Sequence, residues 1–322
     1  MKAPLAERIL SLPNARLAGD GAAKRYAFNP SLARWRGDLY LAYRANDFRD
    51  DATVHLCRLG PDFLPLPGSH RPFRPALPPG QFIEDPRLFL FREELYCACT
   101  LLGMQGQVQS QALWRIDGEG RPLARVPLPY GRNHNLNDYA PGTAPTGGAF
   151  HPFSTEKNWQ FFEHAGQLHF VHAPQPHAVV AWDLGAGRPA AVHKTKARFP
   201  WAFGTPRGGT PPVRVGDEYF SFLHARYFPK PPPFPTFTGA IYGATLYAFA
   251  AHPPFRPTRW VPFPLVEGDP FAPRALFGSA VAYPAGALFE AGRWIVACGV
   301  NDRESALAFF DHERLLQKSV LL

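Results

Sequence analysis

The stretch FNPSLARWRGDLYLAYR, residues 28–44, decides the fold, because its pattern recurs four more times along the chain. Each copy has a small or polar start, mostly with proline, then a short apolar run, a turn and a strand of alternating side chains. The other copies are IEDPRLFLFREELYCACT (83–100), EKNWQFFEHAGQLHFVH (156–172), GTPPVRVGDEYFSFLH (209–224) and YPAGALFEAGRWIVACGV (283–300). The third copy has Asn-Trp where the others have proline. Such self-similarity is typical of a repeat architecture.

The turn in each copy reads RGD, REE, HAG, VGD or EAG, which is the chemistry of a β-hairpin. Further strand-like segments follow, namely ATVHLCRL, QSQALWRID, HAVVAWDL, ATLYAFA and SALAFFD. Each unit therefore supplies about four strands, and the repeat predicts an all-β, five-bladed β-propeller with a central funnel. We expect one domain over residues 1–322, with blades at about 26–60, 82–120, 155–190, 207–252 and 277–312. Short helices are expected at 3–10 and 311–317.

The composition agrees with this fold class. Hydrophobic residues make up 46% of the 322 residues, so the chain can bury a large core, and its 37 prolines and 28 glycines are dispersed between apolar runs. The N-terminus lacks the apolar segment of a signal peptide, and no apolar stretch approaches the length of a membrane span. We therefore expect a cytoplasmic protein without a membrane partner.

The net charge of +8 favours an anionic ligand. The basic residues are scattered singly, with no run of five, which argues against a nucleic-acid partner. Cys57, Cys97, Cys99 and Cys298 lie in apolar, strand-like segments without the spacing of a zinc site, so we interpret them as small buried side chains. The histidines also lack a metal-binding spacing, and no metal site is predicted.

Polar and charged residues recur where the first strand of each unit begins. In a propeller these strand starts converge on the funnel. The residues that they are expected to place there are Asn29, residues 84–87 (Glu-Asp-Pro-Arg), residues 156–158 (Glu-Lys-Asn), residues 209–211 and residues 284–286. The second strands end near Arg44, His224 and Asp302. Because lone buried charges are costly, charged groups at aligned positions of apolar repeats indicate a site.

These motifs together resemble glycoside hydrolase family 130. The resemblance rests on EDPR, NPS…YLAYR, EKNW, GGTPP…FLHA and YPAGA…GVND, and it spans about residues 26–312. It implies a five-bladed propeller that phosphorolyses or hydrolyses β-mannosides, with distant glycosyltransferase relatives. It also implies that Asp85 is the proton donor. The substrate-binding residues are then expected to be Asn29, Arg44, Arg87, Lys157, Asn158, His224, Tyr283 and Asp302.

Three reactions remain open at such a site. Inverting hydrolysis needs a second carboxylate roughly 6.5–9.5 Å from the acid. Glu156 is the expected second catalytic residue, and Asp47 or Asp302 could also serve as the base. Phosphorolysis instead needs cations that hold inorganic phosphate as a co-substrate. The cations could equally hold the diphosphate of a nucleotide sugar in a transfer reaction.

Phosphorolysis is the first choice, because it is the commonest activity of the family. However, phosphorylases of this family use an Arg-Asn pair in the third blade to help hold phosphate. The only corresponding pair in this sequence is Arg132-Asn133, which lacks the expected surrounding motif. The expected partner is an oligosaccharide or glycoside, and no further cofactor is predicted. The alternative of another class is a non-catalytic sugar-binding propeller.

Overall fold

The computed structural model describes residues 1–17, 26–46, 53–103, 108–128, 157–196, 198–233, 239–271 and 279–322. Its elements in chain order are β1 (Arg8–Leu12), α1 (Asn14–Leu17), β2 (Tyr26–Trp35), β3 (Asp38–Asn46), β4 (Thr53–Leu59), β5 (Arg71–Phe73), β6 (Phe82–Phe91), β7 (Glu94–Leu102), β8 (Val108–Ile116), β9 (Pro122–Val126), β10 (Gln160–His164), β11 (Gln167–Ala173), β12 (His177–Asp183), β13 (Arg188–Thr195), β14 (Val213–Val215), β15 (Glu218–Tyr227), β16 (Ile241–Ala250), β17 (Pro257–Trp260), β18 (Val266–Glu267), β19 (Ala282–Glu290), β20 (Arg293–Val300), β21 (Glu304–Asp311), α2 (His312–Lys318) and β22 (Val320–Leu321). Among the described residues, no helix has the length and apolar character needed to cross a membrane.

These strands form five antiparallel sheets, one for each sequence repeat, which confirms the predicted five-bladed propeller. Blade one is β2-β3-β4-β5, blade two is β6-β7-β8-β9 and blade three is β10-β11-β12-β13. Blade four is β14-β15-β16-β17-β22, with β18 paired to β16, and blade five is β19-β20-β21-β1. In every blade the first strand of the repeat lies innermost, so the repeat starts meet at the funnel as expected.

The hairpin between the first and second strand of each blade has a two-residue loop, as the turn motifs predict. In four blades both loop residues have positive φ, as in Arg36-Gly37 and Ala165-Gly166. This is the type I′ geometry, whose twist matches that of the flanking strands.

Apolar side chains fill the space between neighbouring blades. Each of the five interfaces holds its own cluster, and Phe161, Trp182, Phe222 and Trp294 are among the fully buried aromatic residues. The four cysteines are buried and unpaired within these strands, as expected. Burial of so much apolar surface between rigid sheets holds the blades, and therefore the funnel residues, in fixed relative positions.

The chain ends differ from the sequence expectation at one point. The segment predicted as a helix over residues 3–10 instead contains strand β1, which pairs with β21 and forms the outer strand of blade five. This long-range pairing gives the edge of blade five its missing hydrogen bonds, which outweighs any local helical preference. The C-terminal helix is confirmed as α2, and Asp311 caps it by accepting from the Arg314 backbone N at 2.7 Å.

Candidate functional site

The innermost strands of blades one and two each contain a residue in a strained backbone conformation, and in blade three such a residue lies two positions before the innermost strand. Asn29, Asp85 and Asn158 have φ of 51°, 52° and 68°, although none is glycine. In the first two blades the pairing register also shifts at this point, which marks a β-bulge. Bulges redirect side chains, and non-glycine residues at positive φ concentrate at functional sites. The local backbone thus turns three polar side chains into the funnel.

These side chains line a cavity of about 410 Å³ at the centre of the propeller. Every blade contributes to it, and its lining is predominantly polar. The lining residues are Asn29, Arg44, Glu84, Asp85, Lys157, Asn158, Thr205, Arg207, His224, Arg226, Tyr242, Val281, Tyr283 and Asp302. A pocket of this size and chemistry suits a small ligand rich in hydroxyl groups.

Asp85 is held from two sides at the bottom of the funnel. Asn29 Nδ2 donates a hydrogen bond to Asp85 Oδ1 at 2.7 Å. Arg44 Nη1 lies 2.6 Å from Glu84 Oε2 and 3.8 Å from Asp85 Oδ1, so one guanidinium bridges two adjacent carboxylates. This arrangement fixes Asp85 while leaving its side chain at the cavity surface.

The two adjacent carboxyl groups differ in acidity. Burial, followed by the charge of Asp85, raises the pKa of Glu84 to about 7 in spite of Arg44. Burial also works against ionisation of Asp85, but Arg44, Lys157 and the Asn29 hydrogen bond outweigh it and hold the pKa of Asp85 below its usual value. Near neutral pH the pair therefore keeps Asp85 ionised and Glu84 close to half protonated.

Asp302 supplies a third carboxyl group from blade five. It lies in the tight turn after β20, where Asn301 and Asp302 both have positive φ. The Asn301 side chain accepts a hydrogen bond from the Val281 backbone N at 2.9 Å, which anchors this turn beside the start of β19. Burial, followed by the charge of Asp85, raises the pKa of Asp302.

Arg87 occupies a different place from the one expected. Its side chain is fully buried and does not line the cavity. Arg87 Nε donates to the Gly209 carbonyl at 2.7 Å and Nη2 donates to Asn158 Oδ1 at 2.9 Å, and the guanidinium also bonds Tyr283 Oη. Because these partners come from blades three, four and five, Arg87 ties the floor of the funnel together, and it acts on a ligand only through Asn158 and Tyr283.

His224 and Tyr283 form the floor on the side of blades four and five. Their rings meet edge to face with centroids 4.7 Å apart. Tyr283 Oη donates to Asn158 Oδ1 at 2.8 Å. Burial, with Arg87 as the next cause, lowers the pKa of His224 to about 3, so this imidazole is neutral at physiological pH.

The structure brings eight of the sequence-predicted residues to one cavity: Asn29, Arg44, Asp85, Lys157, Asn158, His224, Tyr283 and Asp302. The predicted catalytic Glu156, the alternative base Asp47 and the Arg132-Asn133 pair lie outside the described residues. No group of three or more metal-ligating side chains occurs among the described residues.

Sequence reasoning missed Thr205, Arg207, Arg226 and Tyr242 as lining residues. Arg207 pairs with His224 across the sheet, with backbone hydrogen bonds of 2.8 and 3.0 Å in both directions. The motif GTPRGG, residues 204–209, carries Arg207 to the cavity, but its irregular sequence gives no strand periodicity from which this could be read.

No protein-family model matches the sequence, and no curated protein matches it either. The chain is similar in structure to β-1,2-mannobiose phosphorylase from Listeria innocua, with a TM-score of 0.64, 13% identity and coverage of 97% of this chain and 99% of that one. A structure from the GH130 family of mannoside phosphorylases, which contains glycoside hydrolases that target β-1,2-mannosidic linkages in Candida mannan, gives a TM-score of 0.65, 12% identity and coverage of 97% and 96%. MPT-1, a GDP-Man-dependent mannosyltransferase from Leishmania mexicana, gives a TM-score of 0.59 and 12% identity, with coverage of 96% of this chain and 91% of that one. Along nearly its whole length, the chain shares the five-bladed propeller fold of these enzymes.

Proposed function

We propose that this protein is an enzyme that cleaves or forms β-mannosidic or closely related glycosidic bonds, with Asp85 as the proton donor. The observation that carries the proposal is the position of Asp85: it lies at the bottom of a polar funnel, oriented by Asn29 and Arg44 and adjacent to the carboxyl group of Glu84, whose pKa is raised to about 7. Glycosidic bond cleavage requires an acid that protonates the leaving oxygen.

The remaining cavity lining suits a neutral sugar. Glu84 and Asp302 have carboxyl oxygens that can accept hydrogen bonds from sugar hydroxyl groups. Lys157 can donate hydrogen bonds, and Asn158 and His224 have both donor and acceptor atoms. Buried, hydrogen-bonded polar groups of this kind give specificity, because a ligand that lacks the matching hydroxyl leaves them unpaired.

Proton supply is the critical step for the proposed acid. Arg44, Lys157 and Asn29 keep Asp85 ionised, which is the wrong form for a donor. A sugar that fills the funnel excludes water, and loss of hydration raises the pKa of a carboxyl group. The neighbouring Glu84, with its pKa of about 7, is about half protonated near neutrality and shares Arg44 with Asp85. We infer that ligand binding brings Asp85 into the protonated form needed for catalysis.

Phosphorolysis is the reaction we favour. In it a phosphate oxygen forms the new bond to the anomeric carbon, the bond from that carbon to the leaving sugar oxygen breaks, and Asp85 protonates that oxygen. Lys157 gives the cavity a cationic group whose charge acts on Asp85, where an attacking anion would be needed. The phosphorylase from Listeria innocua, which shares the fold, supports this choice. Hydrolysis is the second candidate, because Glu84 and Asp302 place further carboxyl groups in the same cavity, where one of them can activate water.

The test is to incubate the protein with β-1,2-mannobiose and other β-mannosides in three parallel conditions: inorganic phosphate, buffer alone, and GDP-mannose with mannose as acceptor. Mass spectrometry then identifies the products. We expect a hexose phosphate and a shortened saccharide in the phosphate arm. If phosphate does not accelerate cleavage of any substrate, phosphorolysis is wrong; free mannose in buffer would then indicate hydrolysis. No product in any arm, with sugar binding retained in calorimetry, would make the protein a sugar-binding propeller.

A further inference from the structure

Blade four places two arginines side by side at the cavity. Arg207 lies directly opposite His224 in the antiparallel pairing, and Arg226 follows His224 by two residues on β15. Arg207 and Arg226 are therefore diagonal neighbours on one face, a relation that brings long side chains within reach of each other. Both line the cavity together with Thr205 and His224.

A glycine maintains this geometry. Gly204 has φ of +91°, and a Cβ atom at this position would lie 2.1 Å from the Arg226 carbonyl oxygen. The chain can therefore lie against the end of β15 only with glycine at this position. This close approach brings Thr205 and Arg207 alongside Arg226.

The two guanidinium groups have no acidic counterpart among the described residues. Arg44, in contrast, is engaged by Glu84, and Arg259 by Glu218. Like charges that line one cavity repel each other unless a counter-ion neutralises them. An unneutralised pair that faces a cavity is therefore a candidate anion site, because a phosphoryl group accepts several charge-assisted hydrogen bonds from arginine.

The depth of the pair separates it from the catalytic floor. Asn29, Asp85, Asn158, His224 and Tyr283 are at most 7% exposed, whereas Thr205, Arg207 and Arg226 are exposed. The carboxyl groups come from blades two and five, whereas both arginines come from blade four. An anion held by these exposed side chains lies nearer to solvent than the buried Asp85.

We propose that Arg207 and Arg226 form a subsite for a phosphoryl group carried on the distal part of the ligand, rather than for the free phosphate that attacks the anomeric carbon. The inference rests on the proposed function, since it takes Asp85 as the reacting end of the funnel. Its two chemical sources are a sugar phosphate and a nucleoside diphosphate. Arg226 also lies 5.6 Å from the centre of the Phe228 ring, which is 57% exposed and offers a flat surface on which a nucleobase can stack.

Calorimetric titration of the wild-type protein, Arg207→Ala and Arg226→Ala tests the proposal. The probes are mannose 6-phosphate, GDP, mannose, mannose 1-phosphate and inorganic phosphate. The matched control is Arg214→Ala, which removes an exposed arginine of the same blade that lies outside the cavity and donates to the Gly216 carbonyl at 3.0 Å. The affinity of Arg207→Ala and of Arg226→Ala for at least one of mannose 6-phosphate and GDP should be about tenfold lower than that of the wild type, because each variant loses a hydrogen bond to a charged group. Which of the two responds identifies the source.

Affinity for mannose should change less than about twofold, and Arg214→Ala should match the wild type with every probe. The proposal is overturned if neither distal phosphoryl probe binds more tightly than mannose. It is also overturned if inorganic phosphate and mannose 1-phosphate lose as much affinity as the distal probes, because the arginines would then hold the attacking phosphate. These titrations measure binding and do not depend on whether the protein catalyses a reaction. A protein that cleaves β-mannosides but shows no selective loss refutes only the subsite, whereas selective loss without any detectable reaction refutes only the proposed activity.

Discussion

Asn29 and Asp85 occupy equivalent positions in neighbouring blades and are joined by a hydrogen bond of 2.7 Å from Asn29 Nδ2 to Asp85 Oδ1. Both residues have left-handed backbone conformations, with φ of 51° and 52°. The repeat itself therefore builds the site: one strained position, used in two consecutive blades, supplies the proposed acid and the group that orients it. Asparagine and aspartate tolerate this conformation better than other non-glycine residues, which makes exchanges between them informative.

Asn29→Asp should impair the proposed acid in a pH-dependent manner. The substitution keeps the shape and tolerates the positive φ, but at pH 7.5 it replaces the amide donor with a second carboxylate, so the hydrogen bond that orients Asp85 is lost. We expect kcat at pH 7.5 to fall by about 10- to 100-fold, the weight of a hydrogen bond to a charged group. The deficit should shrink as the pH is lowered and the pair shares a proton. A ratio of variant to wild-type kcat that stays constant with pH would contradict this explanation.

Gly299→Ala should disturb the same hydrogen bond from outside the cavity. A Cβ atom at Gly299 would lie 2.0 Å from Asn29 Oδ1 and 2.7 Å from Asn29 N. Asn29 must therefore move, and overpacking of this kind costs about 1–3 kcal/mol. We expect a lower Tm together with a lower kcat. Gly185→Ala is the control, because its Cβ would meet only Asp183 Oδ1 at an ordinary 3.4 Å, and equal losses in both variants would argue against a role of Asn29 in orienting Asp85.

Glu84 should make folding stability fall as the pH rises. The pKa of Glu84 is about 7 in the folded protein, compared with an ordinary value of 4.5 in the unfolded chain. Between pH 4.5 and 7 the folded state therefore retains a proton that the unfolded chain releases. The contribution of Glu84 to the free energy of unfolding is greatest below pH 4.5 and is lost as the pH rises to about 7. Glu84→Gln removes this dependence. The difference in Tm, variant minus wild type, should therefore increase from pH 4.5 to 7, and a difference that is flat or decreasing over this window would show that Glu84 is not buried as described.

His177 should have the opposite pH effect. It is buried in blade three beside Phe249, its ring nitrogens lack hydrogen-bond partners among the described residues, and burial lowers its pKa to about 3. The unfolded chain binds a proton below pH 6.5 that the folded protein excludes, so stability is lost as the pH falls from 6.5 towards 3. His177→Phe should gain about 2 kcal/mol relative to wild type when the pH is lowered from 7 to 5. Chemical denaturation at the two pH values measures this, and an equal difference at both would refute it.

The repeat pattern is sufficient to predict the blades, because hairpin turns and strand alternation are local signals. It also predicts that Asn29, Asp85 and Asn158 meet, since the innermost strands of a propeller converge. Two features depend on pairing between distant segments and leave no such signal. Strand β1 completes blade five through residues almost 300 positions away, and Arg207 reaches the cavity only because it pairs with His224. The burial of Arg87 likewise follows from partners in three other blades.

Turnover of β-1,2-mannobiose by Asp85→Asn, with and without inorganic phosphate, tests the central claim most directly. Asparagine is nearly isosteric with aspartate and tolerates the φ of 52° at this position, so the fold and ligand binding should be retained. Asp38→Asn, at an exposed residue that pairs with Arg58 at 3.4 Å, is the control and should be as active as the wild type. We predict that Asp85→Asn binds the disaccharide in calorimetry but turns it over roughly 10²–10⁴-fold more slowly, the contribution of a general acid. Wild-type turnover by Asp85→Asn would contradict the assignment of Asp85 as the proton donor.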